Sequence, residues 1–321
     1  MSSALRLFGL LLGITVLGWL VARANLAELI GIFPRIGWGF LAILAVRATT
    51  IVINATAWRC LVPRENRPLF ASFVGLRWIG EAINTTLPVA QIGGDVVRAR
   101  LLQQRIVSPA RGAASVAVDF SVTIIAEILF TVLGFVLLAW LSAEASWWPA
   151  AVAAALLLPF IWLSWEFLIS RRLLVSLEHL LSRFGRRRLA VWMALLGEAL
   201  SLVASSRAAL ALSLALHTAT LFGNTVETWL TLRLMGAPIG FAAAVMLESI
   251  SFAARSAAFL IPSGWGAQEA TLVALAAVAG LSPDSALALG LVKRAREFAI
   301  GLPGLAAWAV AERRAAVCPT R

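Results

Sequence analysis

Long apolar stretches, closed by short basic or proline–glycine breaks, divide the chain from end to end. Apolar runs cover about residues 5–24, 37–58, 113–141, 147–165, 208–234 and 285–310. Each is close to or above the roughly 20 residues that an α-helix needs to cross a bilayer core. Two further apolar segments, 69–86 and 241–260, run into Pro88 with Gly93 and Gly94, and into Pro262 with Gly264 and Gly266. Proline removes a backbone donor and glycine admits non-helical torsions, so both segments are expected to break there. The short alternating segments of a transmembrane β-barrel are missing. The pattern therefore predicts an all-α polytopic membrane protein, one integral membrane domain over residues 1–321. Residues 189–205 are expected on or near the membrane surface.

Loop charge orders these elements. Arginines cluster at 59–67, 98–111, 171–188 and 313–321, whereas the loops at Glu144, 235–240 and 282–284 carry neither Lys nor Arg. Basic loops stay in the cytoplasm. All assignments agree only if 69–105 enters from the cytoplasm and returns to it, while 241–281 enters from outside and returns outside. The expectation is about six spanning helices plus two re-entrant helical hairpins, with both termini cytoplasmic, in a bacterial inner membrane. Arg6, the run 7–21 and Ala22-Arg23-Ala24 imitate a secretory signal. The spans that follow favour an uncleaved first helix.

A shift of 174 residues carries Pro88 onto Pro262, Asp95 onto Glu269, Ser108 onto Ser282 and Pro109 onto Pro283. The expected topology turns the two halves, about 37–142 and 207–312, upside down relative to each other. Inverted repeats with interrupted helices at corresponding positions point to a transporter's central site.

Composition agrees with a lipid environment. Hydrophobic residues make up 61% of the 321 residues and charged ones 13%, against roughly 25% charged in soluble domains. The net charge of +11 would ordinarily suggest nucleic acid, but the arginines lie in clusters between apolar spans, and no nucleic-acid partner is expected. Cys60 and Cys318 have no metal spacing and read as unpaired thiols. His179 and His217 also lack metal spacing, and His217 reads as a packed or hydrogen-bonding helix residue. There is no P-loop and no GxSxG, so the chain is read as no enzyme, with no cofactor and no ATP site. Thirteen Trp and no Tyr fit interfacial anchoring, as at Trp147 and Trp148.

A charge at the bilayer centre costs at least about 2.5–3.5 kcal/mol, so charged residues within apolar spans need a partner, a wet cavity or a function. The candidates are Arg47, Arg77, Glu81, Asp95, Arg98, Asp119, Glu127, Glu227, Glu248, Arg255, Glu269, Lys293, Arg294, Arg296 and Glu297. Arg77 with Glu81, and Lys293 with Glu297, are four apart and could pair within one helix. Asp119 with Glu127, and Glu248 with Arg255, share helix faces that suit a polar interior. A helix starting after Gly94 or Gly266 would aim free N–H groups inward, where an anionic head group could bind, with Arg98 adding charge. Asp95, Arg98 and Glu269 are expected around one internal cavity.

The stretch from Asn84 through Pro88, Gln91, Gly93, Gly94 and Asp95 to Arg98 resembles the first signature of the lysylphosphatidylglycerol synthase transmembrane-region family. Ile261 through Pro262, Gly264, Gly266 and Gln268 to Glu269 resembles the second. Arg294, Arg296 and Glu297, followed by Gly301, Pro303 and Gly304, resemble the closing element. Within the family, Gln268-Glu269, where many relatives have Arg-Glu, and the surroundings of Lys293 are most similar to a hopanoid biosynthesis-associated branch. The resemblance implies a flippase-like lipid transporter acting on membrane lipids, either hopanoids or anionic phospholipids. The alternative is a non-transporting subunit that docks hopanoid-biosynthesis proteins. Aminoacyl transfer, which the family places in a separate C-terminal portion, is not implied. The expected substrate-binding set joins Asn84, Pro88, Gln91, Gly93, Gly94, Asp95, Arg98, Pro262, Gly264, Gly266, Gln268, Glu269, Arg294, Arg296 and Glu297 to Asp119, Glu248 and Arg255, which the cost of charge facing lipid adds.

Overall fold

The computed structural model describes residues 34–87, 93–103, 109–142, 205–258 and 264–317, with isolated positions between 15 and 31 and between 197 and 201. The expected spans 5–24 and 147–165, the surface segment 189–205, and Pro88, Gln91 and Pro262 lie outside the described residues. Among those described, every regular element is helical: α1 (Gly39–Leu61), a 3₁₀ turn (Arg64–Asn66), α2 (Phe70–Thr86), α3 (Gly93–Gln103), α4 (Pro109–Leu141), α5 (Arg207–Leu234), α6 (Phe241–Ala257), α7 (Ala267–Leu275) and α8 (Pro283–Val317).

Three described helices are long and apolar enough to cross a membrane: α1, α4 and α5. Only 33%, 39% and 28% of their most apolar stretches is buried inside the protein. The remaining surface, with Leu41, Leu129, Val136, Trp140 and Leu212 exposed, faces outward. Apolar residues on the outer as well as the inner face are what a lipid solvent selects, because an aqueous one would leave a polar stripe. Helix α8 is longer still, but it concentrates Lys293, Arg294, Arg296 and Glu297 in its first half.

The remaining helices are shorter. α2 and α6 have 17 residues each, about 25 Å of helix, less than the roughly 30 Å of a bilayer core. α3 and α7 have 11 and 9. Helix α2 folds back on α3, and α6 packs on α7. The α2–α3 pair is antiparallel: Gly80 meets Gly94 and Arg98, and Asn84, one turn later, also meets Gly94. A Cβ on Gly94 would collide with the Gly80 carbonyl oxygen, so this crossing requires glycine. Gly266, at φ +78°, makes the left-handed turn that starts α7.

Helix α1 runs along α5, α2 packs against α8, and α6 against α4. One apolar cluster gathers Met246, Leu247, Leu272 and Leu289. Another gathers Trp58, Phe73, Leu76, Leu101 and Leu102, with the Trp58 and Phe73 rings edge to face at 5.0 Å.

Candidate functional site

Two buried ion-pair networks form the polar interior, the first on α2, α3 and α4 with a contribution from α5, the second on the helices of the second half of the chain. The first is centred on Asp119, in the first half of α4, which is completely buried. Its Oδ2 accepts from Arg98 Nη1 at 2.8 Å and from Arg77 Nη1 at 3.1 Å; its Oδ1 meets His217 Nε2 at 2.9 Å. Helices α2, α3, α4 and α5 are thus tied to one carboxylate. Arg98 also donates to Asp95 Oδ1 at 2.8 Å and stacks 4.4 Å over the Trp58 ring. Trp58 in turn donates to Ser115 Oγ at 3.2 Å. His217 reaches Asn54 Oδ1 on α1 through its other ring nitrogen, at 2.9 Å.

The second network lies around α7 and the first half of α8. Glu269, fully buried, accepts from Arg294 Nε at 2.7 Å and from the Gly266 N–H at 2.8 Å. Arg294 continues to Glu297 Oε2 at 2.8 Å and Gln268 Oε1 at 3.3 Å. Glu297 also accepts from Arg255 on α6 at 2.6 Å. Arg296 donates to Glu227 on α5 at 3.0 Å, and Lys293 to Glu248 at 2.5 Å, where Thr228 also donates. Between the networks, Arg47 on α1 donates to Glu81 at 2.7 Å and to Asn224 at 2.8 Å.

The helical repeat explains why one helix feeds several partners. Lys293, Arg294, Arg296 and Glu297 span five residues of α8. At 100° per residue they fan over about 160° of the helix circumference, so together they reach α5 from Arg296, α7 from Arg294, and α6 from Lys293 and Glu297. Burial then selects the pairs, because an unpaired charge in a low-dielectric interior costs several kcal/mol. Charge-assisted bonds at 2.6–3.0 Å are the strong kind.

The pairings differ from those expected within single helices. Arg77 bonds Asp119 and leaves Glu81 to Arg47; Lys293 bonds Glu248 and leaves Glu297 to Arg255 and Arg294. An i,i+4 pair on a helix surface is worth only about 0.2–0.5 kcal/mol, which a buried partner on a facing helix outweighs. A second difference concerns the helix starts. The Gly94 N–H donates to Asn84 Oδ1 at 2.7 Å, and the Gly266 N–H to Glu269. These two donors are occupied within the protein and are not free for a head group.

Of the expected site residues, Asn84, Gly93, Gly94, Asp95, Arg98 and Asp119 gather in the first network. Arg255, Gly264, Gly266, Gln268, Glu269, Arg294 and Glu297 gather in the second, with Glu248 and Arg296 beside them. Asn54, Trp58, Asn224 and Thr228 also take part, though the motifs do not include them. Their signal in the sequence is slight: each is one uncharged side chain among several polar positions on its helix. Among the described residues, no group of His, Cys, Asp and Glu is placed to hold a metal.

Glu127, in the middle of α4, stands apart. It is half-buried, within electrostatic reach of Arg77, Asp95 and Arg255. Among the described residues it is the carboxylate in this region with no ion pair.

Neither the curated proteins nor the solved structures contain a match to this chain. The family model described as lysylphosphatidylglycerol synthase TM region matches residues 6–304. That match takes in both networks and all three membrane-capable helices, and the chain belongs to this family of lipid-associated membrane proteins.

Proposed function

We propose that the chain is a lipid transporter of the flippase type in a bacterial inner membrane. The observation that carries this reading is the pair of buried charge networks on broken helices inside a protein whose outer surface is apolar. So many ions at that depth are expensive unless they line a path for a polar group. A lipid's head would pass along the networks while its tails stay in the bilayer.

Several features support an inverted repeat. The helix lengths run 23, 17, 11 and 33 residues from α1 to α4, and 28, 17, 9 and 35 from α5 to α8. The exchange is reciprocal, since α2 packs on α8 of the other half and α6 on α4. In this reading α2–α3 and α6–α7 are re-entrant hairpins among about six spans, with both termini cytoplasmic. Hopanoids and anionic phospholipids are the substrates to test first. No enzymatic step and no cofactor are invoked; a proton gradient supplies any coupling. Asp95 and Glu269 serve to neutralise arginines, and Glu127 is the carboxylate free to take up a proton.

The test compares deletion of the gene with Asp95→Asn, Glu269→Gln and Glu127→Gln, reading lipid distribution between the leaflets. Deletion is expected to shift one lipid class. Asp95→Asn and Glu269→Gln should lower the amount of folded protein, whereas Glu127→Gln should fold normally and lose transport. If deletion leaves every lipid's distribution unchanged, transport is wrong and a docking subunit for hopanoid-biosynthesis proteins becomes the better reading. A normally folded Glu127→Gln that still moves lipid would remove the proton role alone.

A further inference from the structure

Away from both networks, the loop after α1 builds a second basic feature. Arg59, Arg64 and Arg67 converge with Pro68, Leu69 and Phe70 around a pocket of 610 Å³, within the usual range of roughly 300–1,000 Å³ for small-molecule sites. The 3₁₀ turn Arg64–Asn66 folds the loop so that three like charges share this space. Nothing among the described residues neutralises them. Glu65, in the same turn, is exposed and forms no ion pair with them. Arg59 lies over the Phe70 ring at 5.7 Å, and its Nε is buried without a hydrogen-bond partner. Arg67 is pinned by its own loop, donating to the Val62 carbonyl at 2.6 Å. Burial, together with the like charges of Arg59 and Arg64, pushes the Arg67 guanidinium below the usual arginine range.

The start of α2 adds to this. Phe70 is its first residue, and no side chain caps the helix. The Ser72 N–H is taken by the Leu69 carbonyl at 2.9 Å, but Phe70 lines the pocket, which places the positive end of the helix dipole at its edge. On the outer rim Leu69 is 82% exposed and Phe70 40%. An apolar rim beside three guanidinium groups, at the end of a membrane-capable helix, matches an amphiphile whose anionic head sits at the interface and whose tails leave sideways.

We propose that Arg59, Arg64 and Arg67, with the start of α2, form a binding site for the phosphate head of an anionic phospholipid. Basic pockets at the membrane surface hold such heads by charge, and each Arg contributes through attraction that salt screens. The site stands apart from the two networks and needs no transport, so its binding is measured independently of whether the chain moves lipid.

The test uses the full-length protein in phosphatidylcholine nanodiscs with increasing phosphatidylglycerol, counting retained lipid by native mass spectrometry. The wild type should retain phosphatidylglycerol preferentially, less so at high salt. Arg64 is exposed, and its side chain makes no hydrogen bond or ion pair among the described residues, so Arg64→Gln should fold. It should lower the preference about fivefold, the equivalent of one surface arginine, and Arg64→Glu further. Arg59→Gln tests the deeper group. Inorganic phosphate and glycerol 3-phosphate serve as soluble competitors. Displacement by millimolar phosphate would assign the site to a free anion and overturn the lipid assignment. An unchanged lipid preference in folded Arg64→Gln, Arg64→Glu and Arg59→Gln would overturn the site itself.

Discussion

Replacing Asp119 with asparagine is expected to be the most damaging single change in the polar interior. One carboxylate there holds Arg98 at 2.8 Å, Arg77 at 3.1 Å and His217 at 2.9 Å, and it is completely inaccessible. Removing the shared anion leaves buried cations uncompensated, which typically costs about 3–5 kcal/mol. Arg98 keeps Asp95, but among the described residues Arg77 has no second carboxylate bonded to it. The purified protein's unfolding transition should therefore fall sharply. Arg77→Gln should cost clearly less in the Asp119→Asn background than in the wild type, because the two groups act as one unit. An Asp119→Asn transition within about 1 kcal/mol of the wild type would show that the network contributes little to the folded state.

The second large effect is steric. At Gly94 an added Cβ would collide with the Gly80 carbonyl oxygen and lie 2.7 Å from its carbonyl carbon and 2.9 Å from Asn84 Cγ. Backbone cannot yield as a flexible side chain does, so Gly94→Ala should cost about 3 kcal/mol, the upper end of overpacking changes. It should separate α2 from α3 and displace Arg98 from Asp119. The control lies in the same helix pair: a Cβ added at Gly75 would meet nothing within 4 Å, so Gly75→Ala should be neutral or gain up to about 1 kcal/mol. Equal loss from both variants would mean that helix propensity, not the crossing, sets the effect. Cysteine cross-linking across the α2–α3 crossing would report the separation directly.

These two sites show different depths of legibility. The Gly93-Gly94 and Gly264, Gly266 breaks can be read from the chain because proline and glycine act on their own backbone. The structure puts Gly264 and Gly266 at positive φ and starts α7 just after Gly266, whereas Gly93 and Gly94 lie within α3. The starts of α1, α2 and α5 lie within about two residues of the apolar edges for a related reason: an all-round apolar helix is a local pattern. The boundary after Leu275 is less legible. The apolar run continues to Leu281, but the chain leaves the helix and turns through Gly280 at φ +74°.

The order of residues alone dictates the class of solvent, the positions of the breaks, and the set of charged residues that must be accommodated. A 61% hydrophobic chain has to put apolar groups outward, and charge inside an apolar span demands a partner whatever the fold. The choice of partner belongs to the packing of the helices. Arg77 and Glu81, four residues apart, each turn to another helix, and so do Lys293 and Glu297. Spacing along one helix governs only which side chains share a face, and the energy of that local pairing is a few tenths of a kcal/mol. Facing helices bring charges from 21 to 69 residues away into the same dry space, where the cost of leaving any one unpaired is about ten times larger. Burial therefore overrides local spacing. It is also why His217, which no motif marks, ends beside Asp119, with Asn54 behind it.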